Sequence, residues 1–286
     1  LQINLTSLAV LFRRPVFFLS LIALLWIVLC IVGSVRSQCP FQHVVFTNGE
    51  EVSFTVSYNW GPIWVDAGTV SFKTTLEQKK GKTLWHFVSS GRTFASYDFL
   101  FKVRDTYESW IDTTTFETIE FSRYIYEGGY QLQNRSWFDY PHRMVYSNTK
   151  RNDDPIVHDT LHMIGCTFDM LSAVYYVRSL DPDSMQRDTV LPVFVAIDDS
   201  VYRIDVRLLG KEIVEHPDGT RYPCNKFSAT MVEGTIFTKD QEALVWVTDD
   251  RNRIPVYIEA KILVGSVKAY LREAKGLKIL YDYKSI

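Results

Sequence analysis

The chain has 286 residues and is nearly neutral, with 31 Lys+Arg against 33 Asp+Glu, and it is rich in aromatic residues. A balance of this kind without a basic stripe excludes nucleic acid as a partner and argues against anionic membrane surfaces. About 250 residues beyond an N-terminal leader suffice for one all-β domain with a large core and no disulfide staples.

The leader comes first. Arg13 and Arg14 precede an apolar run over residues 16–33, and small or polar residues come next, which is the charge–apolar–small layout of a secretory signal. Val35-Arg36-Ser37 provides a cleavage site with a mature start at Gln38. Removal of Arg13, Arg14 and Arg36 leaves 28 basic against 33 acidic residues, a net charge of −5. The apolar run also approaches the ~20 residues that span a bilayer, so an uncleaved anchor is the alternative. Neither Arg36-Ser37-Gln38 before Cys39 nor Leu29 before Cys30 suits lipoprotein processing. Cys39, Cys166 and Cys224 remain, and an oxidising compartment accommodates one bridge with a spare thiol or no bridge at all.

Strands dominate the rest of the chain. Val52, Phe54, Val56 and Tyr58 alternate with polar residues at period two. Gly61-Pro62 breaks the run, and residues 63–72 resume it with Gly68 as a bulge or kink. Further strands are expected over residues 82–90, 103–111, 118–126, 130–138 and 142–148, with Gly128-Gly129 as a hairpin turn. Then the period changes: Met170, Leu171, Val174 and Val177 predict a helix near 167–180, with Thr167 as N-cap and Asp181-Pro182 as its end. Strands return over residues 190–197, 201–209, 222–232, 243–248 and 255–262, with a turn at residues 216–219. Ser109-Trp110-Ile111-Asp112 and Val245-Trp246-Val247-Thr248-Asp249 each place a tryptophan strand before a polar turn and a returning strand. The expected architecture is therefore mainly β: one large curved antiparallel sheet or incomplete barrel over residues 38–286. Two similar halves, about 45–150 and 185–275, flank the single helix.

Several ordered stretches carry a family resemblance. They include Val65-Asp66-Ala67-Gly68, Arg104-Asp105-Thr106, Cys166-Thr167-Phe168-Asp169-Met170-Leu171-Ser172, Tyr222-Pro223-Cys224 and Trp246-Val247-Thr248-Asp249-Asp250-Arg251-Asn252. In these the chain resembles bacterial exported proteins of the domain-of-unknown-function family 3108, common in Bacteroides-like bacteria. The resemblance implies a periplasm-facing, mainly β protein and supplies no catalytic residues. The Trp-x-Asp strand, turn and proline-bearing strand also look like hairpins of bacterial lipoprotein-carrier folds, open half-barrels that hold acyl chains.

Enzyme signatures are sparse. On one continuous helix His158, His162 and Cys166 would share a face at zinc-ligand spacing. Gly165 interrupts that helix, Thr167 opens a new one, and no glutamate lies between the histidines as a metalloprotease requires. No metal or other cofactor is expected, and those three residues are the remaining candidates for one. The pairs Asp153-Asp154, Asp198-Asp199 and Asp249-Asp250 fall in turns, where aspartate bonds its own backbone. In Arg104-Asp105, one side chain must point inward and find a partner. Gly-x-Ser-x-Gly, Walker and dinucleotide glycine patterns are absent.

The aromatic residues suggest either a filled core or an apolar cavity. The reading is a non-enzymatic periplasmic protein that binds a lipid or other hydrophobic ligand. Trp60, Trp64, Trp110 and Trp246 are the expected lining, with Met170, Val174 and Val177 from the helix. Two alternatives stand beside it: an assembly module that docks an outer-membrane partner, and, more distantly, a zinc-dependent hydrolase.

Overall fold

The computed structural model describes residues 44–60, 63–232, 241–262 and 265–279. Every described residue belongs to one compact unit within Gln38–Ile286. The leader, its cleavage site and Cys39 lie outside the described residues. No helix among the described residues is long and apolar enough to cross a membrane.

The first eight strands are β1 (Glu50–Trp60), β2 (Ile63–Lys79), β3 (Lys82–Thr93), β4 (Arg104–Asp112), β5 (Thr118–Glu127), β6 (Tyr130–Asp139), β7 (Met144–Arg151) and β8 (Val157–His162). After the short β9 (Thr167–Phe168) and the helix α1 (Met170–Ser179) come six more. They are β10 (Val190–Ile197), β11 (Ser200–Glu215), β12 (Arg221–Thr230), β13 (Glu242–Thr248), β14 (Pro255–Lys261) and β15 (Ser266–Lys275). Together they make one fifteen-stranded sheet in the order β8 to β1, then β15 back to β9. Almost every strand pairs antiparallel with its chain neighbour, and β1 pairs with β15. The ladder ends at β8 and β9, so the sheet is not closed into a barrel.

Gly128 and Gly129 both take positive φ, which fits the mirror-image hairpin turn between β5 and β6. The β1–β2 register slips at Val56/Ser57, opposite Ala67-Gly68. A Cβ on Gly68 would sit 2.3 Å from the Arg92 carbonyl oxygen, so only glycine fits that bulge.

The main core lies where α1 meets β3, β4 and β10. Phe46 meets Trp85, Phe87 and Tyr175 edge-on, while Phe87 stacks on Tyr175 and Phe168 on Tyr176. Both ends of the helix are tied to the sheet. The N-cap is Asp169, not Thr167, which instead belongs to β9. Asp169 accepts from the backbone N–H groups of Leu171 and Ser172 at 2.8 and 3.0 Å, and Ser172 returns a bond to complete a capping box. The same carboxylate accepts from Ser109 Oγ at 2.6 Å and Thr118 Oγ1 at 2.8 Å, joining the helix to β4 and β5. At the other end Arg178 forms a buried two-oxygen ion pair with Glu50 of β1 and donates to the Asn252 carbonyl at 2.8 Å.

The two tryptophan hairpins correspond in detail. Both carry a bulge after the tryptophan, at Trp110/Ile111 and at Trp246/Val247. Trp110 Nε1 donates to Glu77 of β2 at 2.8 Å, and Trp246 Nε1 donates to Glu212 of β11 at 3.1 Å, each two strands back along the sheet. A lysine covers each ring, Lys79 at 3.4 Å and Lys226 at 4.7 Å from the centroid.

The alternating strand directions sort the loops by character. One end of the sheet carries exposed apolar side chains: Ile63 and Trp64 after β1, Phe99, Leu100 and Phe101 before β4, and Ile156 before β8. At the opposite end stand the polar turns Lys79-Lys80-Gly81, His216-Pro217-Asp218-Gly219 and Asp249-Asp250-Arg251-Asn252.

Candidate functional site

The helix has more apolar surface than the core can cover. Leu171, Ala173, Tyr175 and Tyr176 are buried, whereas Val174 is 47% exposed. Val174 faces a cavity of about 600 Å³, which Met170 and Val177 also line while packing against the core. The opposite wall consists of β-branched and other apolar residues of β10 to β13, among them Val193, Val195, Ile204, Val206, Phe227 and Val245. A volume of this size is in the range of small-ligand sites. Glu127, Asp198 and Tyr202 stand at the end that carries the apolar loops, while Arg178, Arg253 and Pro255 stand at the other.

The tryptophans are placed elsewhere. Trp110 stacks on His86 at 4.6 Å, and Trp246 packs in a second apolar cluster with Cys224, Ile254 and Val256. Trp64 lies in the β1–β2 hairpin under Lys268. None of these three lines the cavity, and the side chain of Trp60 lies outside the described residues. A tryptophan at a bulge finds a partner for its indole N–H on the outer face, where glutamates are available, so the interior falls to the aliphatic residues beside it. Ile111 accordingly joins the main core and Val247 the cavity wall.

His158 and His162 lie on strand β8, not on a helix, and Cys166 comes after that strand. Four residues along a strand span about 13 Å, too far for one metal ion. His158 is within 2.7 Å of Asn148 Oδ1 instead. Among the described residues no group of three or more histidine, cysteine or acidic side chains is arranged to hold a metal ion. Cys224 is a free thiol, so it forms no bridge with Cys166, and burial pushes its pKa up to about 12.

Three arginines line the cavity and differ in how they are used. Arg178 is fully engaged by Glu50 and the Asn252 carbonyl. Arg253 donates to the carbonyls of Ser179 and Leu180 and pairs with Asp181 at 2.9 Å. Arg123 of β5 pairs with Asp198 in the β10–β11 turn, but its Nε is buried with no partner.

Near Arg123, the register partner Tyr107 stands beside Asp105, Glu127 and Asp198. Arg104 pairs with Asp98 on the surface, and Asp105 is the inward member of that dipeptide. Burial raises the Asp105 carboxyl from 3.8 to about 6, against the opposing bond from the Tyr126 N–H, and Glu127 raises it further. A carboxyl raised in the folded state contributes stability that is complete below pH 4 and is lost as pH rises through 6. Asp105→Asn is therefore expected to unfold at a higher temperature than wild type at pH 7 and at the same temperature at pH 4. Thermal unfolding at the two pH values checks this, and equal behaviour at both would contradict it.

The model of the family of proteins of unknown function DUF3108 matches residues 53–272. The chain belongs to the DUF3108 family. The DUF3108 span encloses every residue of the cavity wall. Among solved structures, the β-barrel-like protein of the domain of unknown function DUF1849 from Brucella abortus shares the fold. It has 10% identity and a TM-score of 0.51, over 83% of this chain and 100% of that one. A "putative lipoprotein" from Parabacteroides distasonis aligns over 82% of this chain and 100% of its own at 11% identity, with a TM-score of 0.28. No curated protein matches.

Proposed function

We propose that this DUF3108 protein is an exported, non-enzymatic protein of the cell envelope that holds a lipid or other hydrophobic ligand in the cavity beside α1. The observation that carries the reading is the second apolar face of the helix, with Val174 facing space instead of protein. Leaving such a face wet is costly, and each ligand methylene buried against it contributes about 0.8 kcal/mol. The charge–apolar–small leader supports export.

Titration of an apolar fluorophore that brightens on leaving water, followed by displacement with hexadecanol, tests the reading. Val174→Trp places an indole in the cavity and is expected to weaken both steps at least ten-fold, because displacing two methylenes already removes about that much affinity. The fold should survive, since Val174 is not packed in the core. Failure of wild type to bind either molecule would overturn the reading. It would favour a docking module that uses Ile63, Trp64 and Phe99 to Phe101 at one end of the sheet to meet an outer-membrane partner, a reading those exposed side chains favour.

A further inference from the structure

The cavity is not uniformly apolar, and its polar corner at Arg123 is built unlike a core. Beside Arg123 a crevice of about 10 Å³, room for one water at most, opens between β5, β6 and β7. Asn134 and Ser136 line it, and both are satisfied within the protein. Asn134 Nδ2 donates to Ser147 and Thr149 at 2.8 Å each, and Ser136 Oγ donates to Asn134 Oδ1 at 3.3 Å. Arg123, Met170, Ile197 and Asp198 are common to the crevice and the large cavity, so Arg123 stands where the two meet.

Arg123 is only 8% exposed, yet its hydrogen-bonding capacity is mostly unspent. Nη2 goes to Asp198, Nη1 has the Met170 sulfur at 3.9 Å, and Nε has no partner. The single, partly exposed Asp198 carboxylate also serves Arg151 at 3.5 Å, so two guanidinium groups share one negative charge. Glu127 is the other acid lining this end, but it is exposed and screened by water. A guanidinium can only donate, and its fork matches two acceptor oxygens on one centre.

We propose that Arg123 receives the head of an anionic amphiphile, a carboxylate or phosphate group whose single aliphatic tail lies along Met170, Val174 and Val177. The inference rests on the ligand-binding reading and adds the chemistry of the head.

The test compares hexadecanoate, hexadecyl phosphate and hexadecanol, which share a tail and differ in head, by displacement of the same fluorophore from the full chain. Both anions are expected to bind wild type about ten-fold or more tighter than the alcohol, the fold-change for one charge-assisted hydrogen bond. The tighter of the two anions names the head. Arg123→Gln should bring the affinities for both anions down to that for hexadecanol. Asp198→Asn, in which asparagine accepts the positive φ of that turn, should enlarge the preference several-fold by releasing Arg123 from its competitor. Equal binding of the three amphiphiles to wild type would overturn the anion site and leave the cavity reading standing. A preference that persists in Arg123→Gln, or one that shrinks in Asp198→Asn, would overturn Arg123 as its reader. Absence of binding by all three would instead remove the ligand-binding reading itself.

Discussion

Arg178→Met is expected to destabilise the protein by about 3–5 kcal/mol, the cost of leaving a buried charge unpaired. Glu50 is 1% exposed and has no route to water when its guanidinium partner is gone. The damage extends past the pair, because Arg178 also donates to the carbonyls of Asn252 and Arg253 in the β13–β14 turn. One side chain thus connects the end of α1 to β1 and to a turn far along the chain. The double variant Glu50→Met/Arg178→Met should recover much of the loss, since apolar replacements for a whole buried pair are often neutral. Urea unfolding of the wild type, both single variants and the double variant measures the coupling. A single variant within about 1 kcal/mol of wild type would show that the pair does not anchor the helix.

Asp169→Ala carries the second large effect, about 3 kcal/mol. Loss of the N-cap accounts for about 1 kcal/mol. The remainder comes mainly from Ser109, whose fully buried hydroxyl loses its acceptor, while Thr118 keeps Ser172 Oγ at 2.9 Å. Asp169→Asn keeps an acceptor at the cap and should cost about 1 kcal/mol. The two variants therefore separate capping from the tie to β4 and β5. Equal losses in both would mean that the charge, rather than the acceptor, holds the helix in place. Because α1 forms one wall of the cavity, either substitution should also weaken apolar-probe binding in proportion to the helix lost.

Much of this architecture was legible as alternation. Period-two patterns located most of the strands, and β10 falls where residues 190–197 place it. The Asp-Asp pairs lie in turns, with Asp198 at positive φ. The elements that escaped were weakly patterned. β8 reads Val-His-Asp-Thr-Leu-His and lies at the end of the sheet with exposed side chains, so it has little apolar signal. β15 alternates only Val267, Ala269 and Leu271 against Lys268, Tyr270 and Arg272, yet it is the strand that joins the two arms of the sheet at β1. The choice between Thr167 and Asp169 as cap could not be made locally, since both residue types cap well. It was decided by Ser109 and Thr118, some fifty to sixty residues away.

The cavity was the least legible feature. Its helical wall, Met170, Val174 and Val177, was visible because those positions recur at helical spacing. The opposite wall was not, because a valine facing space and a valine facing another valine have the same sequence pattern. The tryptophans attracted notice by size, but their indole N–H groups needed Glu77 and Glu212, which lie on the far face of the sheet from the cavity wall. Arg123 carried no sequence signal at all, since it sits among alternating residues of β5 like any surface arginine.

A cavity that is occupied in the cell should leave its ligand on the purified protein. Native mass spectrometry of the chain exported to a periplasm, with organic extraction of the material it carries, tests this most directly. A lipid-sized adduct is expected in wild type, lost in Val174→Trp and recovered in the extract as an amphiphile. A bare mass for wild type, unchanged after incubation with lipid, would contradict it.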